Sequence, residues 1–115
     1  MAFRKKWNQL PDIKADIMVI SECEHPDKFS PDQQIPGVQD CIWIGDNEHK
    51  GSCIFSFHEY RLKLLDAYDD SFRYIVPVEV LGPHNVLLFG IWAMPYEGSP
   101  AKSYVNQIWR AMKHY

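Results

Sequence analysis

The chain has 115 residues, a hydrophobic fraction of 46%, an aromatic fraction of 14% and a net charge of -3. That length suits one domain with one core, and the charge gives no global attraction to nucleic acid or to an anionic membrane. No apolar run approaches the roughly 18 residues of a membrane span, so no membrane partner is expected. Met-Ala-Phe-Arg-Lys-Lys is basic but no long apolar region follows it, which reads against a secretion signal. Cys23, Cys41 and Cys53 are odd in number and form no C-x-x-C pair. No disulfide framework is expected, and a reducing cytoplasm is the expected location.

Phe3, Trp7 and Leu10 recur three to four apart around Arg4, Lys5 and Lys6, which predicts a short amphipathic helix ending near Pro11 and Asp12. The strand that follows, from about Asp16 to Glu22, carries the uninterrupted apolar run Ile17 to Ile20. Such a run reads as a strand buried on both faces in the middle of a sheet. It stops at Ser21 and Glu22. A carboxylate at the end of a buried strand lies at an edge that open α/β architectures use for ligands. If buried, it needs a cation, an Arg or Lys, or hydrogen-bond donors; otherwise Glu22 is a solvated residue at a strand-to-loop junction. Glu24 shares its face if the strand continues and diverges if the strand bends at Cys23. Two carboxylates on one side would favour a hard divalent ion held partly through water.

His25 to Gly37, with Pro26, Pro31 and Pro36, reads as a long loop. Cys41 to Gly45 is a second strand, Asp46-Asn47 begins a turn, and Gly51 to Phe57 is a third strand with Cys53, Phe55 and Phe57 on one face. Tyr60 to Leu65 is a short extended segment. Asp66, Asp69 and Asp70 cluster in the next loop, where a solvated turn outweighs a metal site. Arg73 to Leu81 alternates, with Tyr74, Val76, Val78 and Val80 together; Pro77 points to an edge strand or a bulge. Gly82-Pro83-His84-Asn85 is a turn, and Val86 to Trp92 returns antiparallel. Ser99-Pro100 suits a helix start. Tyr104, Val105, Ile108, Trp109 and Met112 then form an apolar stripe opposite Asn106, Gln107, Arg110 and Lys113.

The order, a helix, a run of strands and a closing helix, points to an α+β fold or a layered sandwich. No phosphate-binding glycine loop, Ser/His/Asp signature or zinc spacing is present. Cys23 and His25 lie two apart, but a nucleophile and its base need an orienting third group. His49, His58, His84 and His114 are dispersed along loops and element ends, as surface residues are. Gly45-Asp46-Asn47 has the residues of an ordinary turn, though a turn of this type could also bind a cation.

Asp16-Ile-Met-Val-Ile-Ser-Glu22 resembles the second core strand of the endonuclease/exonuclease/phosphatase superfamily, where an Asp, an Ile and apolar residues lead to a metal-binding Glu. Trp43-Ile-Gly45 and Lys50-Gly51-Ser-Cys-Ile-Phe-Ser56 resemble the next pair of elements, an aromatic-Gly turn and a Lys-Gly-apolar strand. Asn85 to Pro95 resembles a later strand, and Ser103 to Tyr115 the helix after it; the Tyr-Val-x-Gln-x-Trp-Arg-Ala pattern there is similar to that of bacterial members. The resemblance covers nearly the whole chain.

The resemblance implies a partial four-layer α/β sandwich of that superfamily's type, mostly antiparallel, with an N-terminal and a C-terminal helix. It implies a hydrolase, either nuclease or phosphatase, acting on phosphodiesters or phosphomonoesters with Mg²⁺ or Mn²⁺. Its substrate would be a phosphoester, nucleic acid included. Glu22 would hold the metal, with Glu24 as a secondary ligand. The sequence also departs from the family. It starts where the family's first strand, with its metal-binding Asn, would have ended. No Gly-Asp-x-Asn motif or late Asp-His pair matches the family's water-activating Asp and catalytic His, and Trp92 stands where a His or Tyr is common. The chain therefore resembles an amino-terminal half of such an enzyme, expected to be weakly active or inactive alone. The alternative is a non-catalytic module that associates, as a homo-oligomer or with a complementing chain, through an exposed sheet.

Overall fold

The computed structural model describes residues 6–93 and 104–115. The elements run β1 (Ile17–Cys23), β2 (Val38–Asn47), β3 (Lys50–Phe57), β4 (Arg61–Leu64), β5 (Ile75–Leu81), β6 (Val86–Ile91) and α1 (Tyr104–His114), with 3-10 turns between them. The strands make two three-stranded sheets, ordered β1-β3-β2 and β4-β5-β6. Every pairing is antiparallel, β5 with β6 included. The class is α+β, as expected.

Strand periodicity builds the layers. In β3, Cys53, Phe55 and Phe57 face one way and Ser52, Ile54 and Ser56 the other. The first set joins Leu10, Met18, Cys23, Phe29 and Ile35 in a core on the outer side of its sheet. On the other side, Ile54 packs with Val76, Val78 and Val80 of β5, flanked by Ile42, Ile44, Leu62, Leu64 and Leu88. The two sheets thus meet face to face. Burying Ile54, Val76, Val78 and Val80, each at most 3% exposed, contributes about 1.5–3 kcal/mol apiece.

Four expectations change. The central strand is β3, whose residues 51–57 are all buried, and not the strand at Ile17 to Ile20. β1 is an edge strand, and Val19 is 38% exposed. Apolar content points the other way, because β3 carries Gly51, Ser52 and Ser56: Ser56 Oγ accepts the Asp40 N–H at 3.1 Å, whereas Ser52 Oγ is buried with no hydrogen-bond partner among the described residues. Nor is there an N-terminal α-helix among the described residues. Trp7–Gln9 and Pro11–Ile13 are separate 3-10 turns, the second opening on a proline; Phe3 lies outside the described residues.

Pro77 lies in the middle strand of its sheet and not at an edge. Its carbonyl accepts from Leu65 N–H (3.0 Å) just past the last β4 pair, Leu64↔Val78. The missing N–H therefore points beyond the end of β4, and the β5–β6 ladder loses nothing. In α1, finally, the apolar stripe does not face the core. Ala111 is its only buried residue, while Val105 (74%) and Trp109 (61%) are exposed, as are Tyr104 and Met112. The helix docks through its end: Tyr115 packs against Phe72 and Phe89, and its hydroxyl accepts the Asp69 N–H at 2.8 Å. Ser99 and Pro100 lie outside the described residues.

Candidate functional site

The end of β1 is irregular. Ile20 pairs with Cys53, but the next pair is Cys23 with Gly51. Three steps on β1 match two on β3, so β1 holds one extra residue, a β-bulge. Glu22 occupies it with φ 59. A left-handed non-glycine residue costs on the order of 1–3 kcal/mol and persists where its surroundings over-determine it. Trp43 supplies the constraint. Its Nε1 donates to the Cys23 carbonyl at 3.0 Å, and its ring lies across Gly45 and Gly51. A Cβ on Gly51 would come within 2.5 Å of that ring, so glycine is what lets the indole reach the bulge.

The bulge turns Glu22 toward an end of the sandwich where five strands start or stop. Glu22 Oε1 is 3.8 Å from Lys50 Nζ, which lies 5.5 Å from the centre of the Trp92 ring. Trp92 packs on Tyr74 at 4.8 Å, and the Tyr74 hydroxyl donates to Asp46 at 3.1 Å. Arg73 closes the row. Its Nη1 donates to Asp70 at 2.6 Å and its Nη2 to the Gly45 carbonyl at 2.7 Å, while Nε lies 2.7 Å from Asp46 Oδ1 as an ion pair. Partial burial works against the Arg73 charge, yet Asp46 and Asp70 outweigh it and raise its pKa. Burial, then the bond to Asp46, raises the pKa of Tyr74. Arg73 is thus a compensated clamp between the sheets. The half-exposed Glu22–Lys50 pair is the part that faces solvent.

Glu24 differs from its neighbour. It lies one residue past β1 and is 6% exposed. The two carboxylates therefore occupy different environments, and what separates them is the bulge at Glu22 and not a bend at Cys23, which still pairs with Gly51. Cys23 and His25 form no catalytic pair: the Cys23 thiol donates to Glu24 O at 3.3 Å, and His25 Nδ1 accepts from Asp27 N–H at 3.1 Å. Asp69 caps the turn at Ser71 and pairs with His114, and Asp70 holds Arg73. These contacts account for Asp69 and Asp70, while Asp66 is exposed. At the end of β2, which runs on through the expected turn residues, Asp46 is likewise used by Arg73 and Tyr74, and Asn47 Oδ1 accepts from His49 N–H. His58 bonds Asp16 at 2.9 Å.

Among the described residues, no group of three or more His, Cys, Asp or Glu is placed to hold a metal ion. Glu22 offers one partly exposed carboxylate. That donor set suits Mg²⁺, which keeps most of its water and takes one or two carboxylates, better than a cage for a dehydrated ion. No helix among the described residues is long and apolar enough to cross a membrane. A concavity of about 200 Å³ opens away from Glu22, at the other end of β1, between Leu10, Met18, Ile35 and Phe57, with Lys14 and His58 at its rim.

The sequence pointed to Glu22, with Glu24 second to it; Lys50 stood there only within the resembling Lys-Gly strand and Trp92 only as a departure, and their contacts at this end of the sandwich come from the fold. The Asp46–Tyr74–Arg73 network was missed, since its members lie 27 to 28 residues apart and no local pattern joins them. No protein-family model, curated protein or solved structure matches the chain.

Proposed function

We propose that the chain is part of a metal-dependent phosphoesterase of the endonuclease/exonuclease/phosphatase type, a hydrolase of phosphodiesters or phosphomonoesters, with little activity of its own. The observation that carries this reading is the bulged, left-handed Glu22, aimed at a solvent-facing end of a two-sheet antiparallel sandwich beside Lys50. In this reading Glu22 is the protein ligand of Mg²⁺ or Mn²⁺, with Glu24 supporting it from the buried side. The ion, when bound, polarises a phosphoryl oxygen and stabilises the leaving oxygen. Lys50 meets a phosphate oxygen as a point charge. Trp92 walls the site and supports the Lys50 ammonium through its ring face. The Arg73 clamp keeps the two sheets, and so Lys50 and Trp92, in register. The four-layer arrangement of that superfamily belongs to the same proposal, as does a location in the cytoplasm.

Phosphoryl transfer also needs an aligned water and a group to activate it. No residue of this sequence matches the superfamily's residues for those roles, and groups that act as a unit are strongly non-additive. The test is inorganic phosphate binding with and without Mg²⁺, alongside turnover of an aryl phosphodiester and of plasmid DNA. Mg²⁺-dependent phosphate binding that Glu22→Gln removes and Lys50→Ala weakens, with little turnover, is expected. Phosphate binding indifferent to Mg²⁺ and to Glu22→Gln would overturn the reading.

A second reading, a non-catalytic module that self-associates or joins a complementing chain, is favoured by the exposed apolar side chains of α1 and by exposed Val86 and Leu87 on edge strand β6. Under it, sedimentation reports concentration-dependent association that Trp109→Ser weakens, and phosphate binding without dependence on Glu22.

A further inference from the structure

The fold brings together cysteines that the sequence leaves far apart. Cys41 on β2 pairs with Phe55, and Cys53 on β3 pairs with Trp43, so the two cysteines are diagonal neighbours on one face of the sheet. Their sulfurs are 2.8 Å apart. Cys41 is exposed, whereas Cys53 and Cys23 are fully buried. All three are free thiols. Cys53 is also in contact with Cys23, so the thiols run from the surface into the outer core. Nothing in the site at Glu22 uses Cys41 or Cys53.

We propose that Cys41 is a thiol-modification site for low-molecular-weight disulfides, with Cys53 as the resolving thiol that converts the adduct into a Cys41–Cys53 cross-strand disulfide. The order follows from access. The Cys41 thiolate attacks one sulfur of the disulfide, forming a mixed disulfide. The departing thiolate takes up the proton that Cys41 gave up. Cys53 then attacks the Cys41 sulfur. The second small thiolate leaves and takes the Cys53 proton. Two S–H bonds are lost, one S–S bond forms in the protein, and the small disulfide is reduced to two thiols. Burial holds Cys53 protonated, which suits it to act second, on a sulfur already placed beside it, where proximity replaces thiolate fraction as the source of rate. Cys23 lies further in, with its thiol given to the Glu24 carbonyl.

The experiment is treatment of the folded chain with oxidised glutathione, followed by proteolysis without reductant and mass mapping. The wild type yields peptides linked through Cys41 and Cys53, with Cys23 still free. Cys53→Ala accumulates the glutathione adduct at Cys41, and Cys41→Ala yields neither product. A stable Cys41 adduct in the wild type, a link through Cys23, or three thiols left free would each overturn the proposal. Mapping of the wild type decides the matter even if a variant fails to fold.

Discussion

Replacing Gly51 by Ala tests the link between the Trp43 contact and the bulge that carries Glu22. The added Cβ would lie 2.5 Å from Trp43 Cε2 and 2.6 Å from the Ile44 carbonyl oxygen. The second atom is backbone in the neighbouring strand, so the side chain cannot simply turn away. Overpacking of this kind costs about 1–3 kcal/mol. Displacing the indole also breaks its bond to the Cys23 carbonyl, worth about 0.5–1.5 kcal/mol. Against this, alanine in a strand recovers roughly 0.5–1 kcal/mol of backbone entropy. The net expectation is a loss of about 1–3 kcal/mol, which at about 4 °C per kcal/mol for a domain of this size lowers Tm by roughly 4–12 °C. Thermal and urea unfolding give the number, and the indole N–H resonance of Trp43 reports whether its hydrogen bond survives. Gly37→Ala is the control. Gly37 has φ 79, and a Cβ there would meet nothing within 4 Å, so this variant loses stability through backbone strain and leaves the Trp43 resonance in place. A Gly51→Ala protein with unchanged stability and an unmoved Trp43 signal would refute the reasoning.

Ile54→Ala removes the side chain that joins the sheets at 1% exposure and should cost about 2–5 kcal/mol by denaturant unfolding. On α1, Ala111→Leu should destabilise by about 1–3 kcal/mol because Ala111 is fully buried, while Trp109→Ser should stay within about 0.5 kcal/mol of wild type; calorimetry separates the two. Burial, followed by Asp70, pushes the Tyr68 phenol up to about 12, and its hydroxyl donates to the Arg73 carbonyl at 2.8 Å. A raised folded pKa means the phenol's contribution is whole below pH 10 and fades as pH rises toward 12. Stability measured across that window should fall more steeply in the wild type than in Tyr68→Phe.

The strand positions were legible because alternation and turn residues are local signals: Gly51 to Phe57 and Arg73 to Leu81 both became strands close to their expected bounds. Strand order was not. Ile17 to Ile20 is the more apolar stretch, yet β3 takes the centre, where Gly51 leaves room for the Trp43 ring. The α1 stripe misled for a related reason. Helical periodicity identifies an apolar face but not what covers it, and here the contact is made by buried Ala111 and by Tyr115 at the helix end, not by the stripe. The missing N–H of Pro77 pointed to an edge strand or a bulge, whereas β5 is the middle strand with regular register, and the same constraint is met by β4 ending one residue earlier. At the site, Glu22 could be named from its strand, but not its left-handed backbone. That conformation depends on Trp43, 21 residues away, reaching across Gly51.

The most direct test of Glu22 as a metal ligand is titration of the folded chain with Mn²⁺, read as paramagnetic broadening of backbone amide signals. Saturable broadening centred on Ser21, Glu22, Cys23 and Lys50, competed by Mg²⁺ and abolished by Glu22→Gln, is the expected result. Broadening that is diffuse, that centres on the Asp66–Asp70 loop, or that survives Glu22→Gln would contradict it.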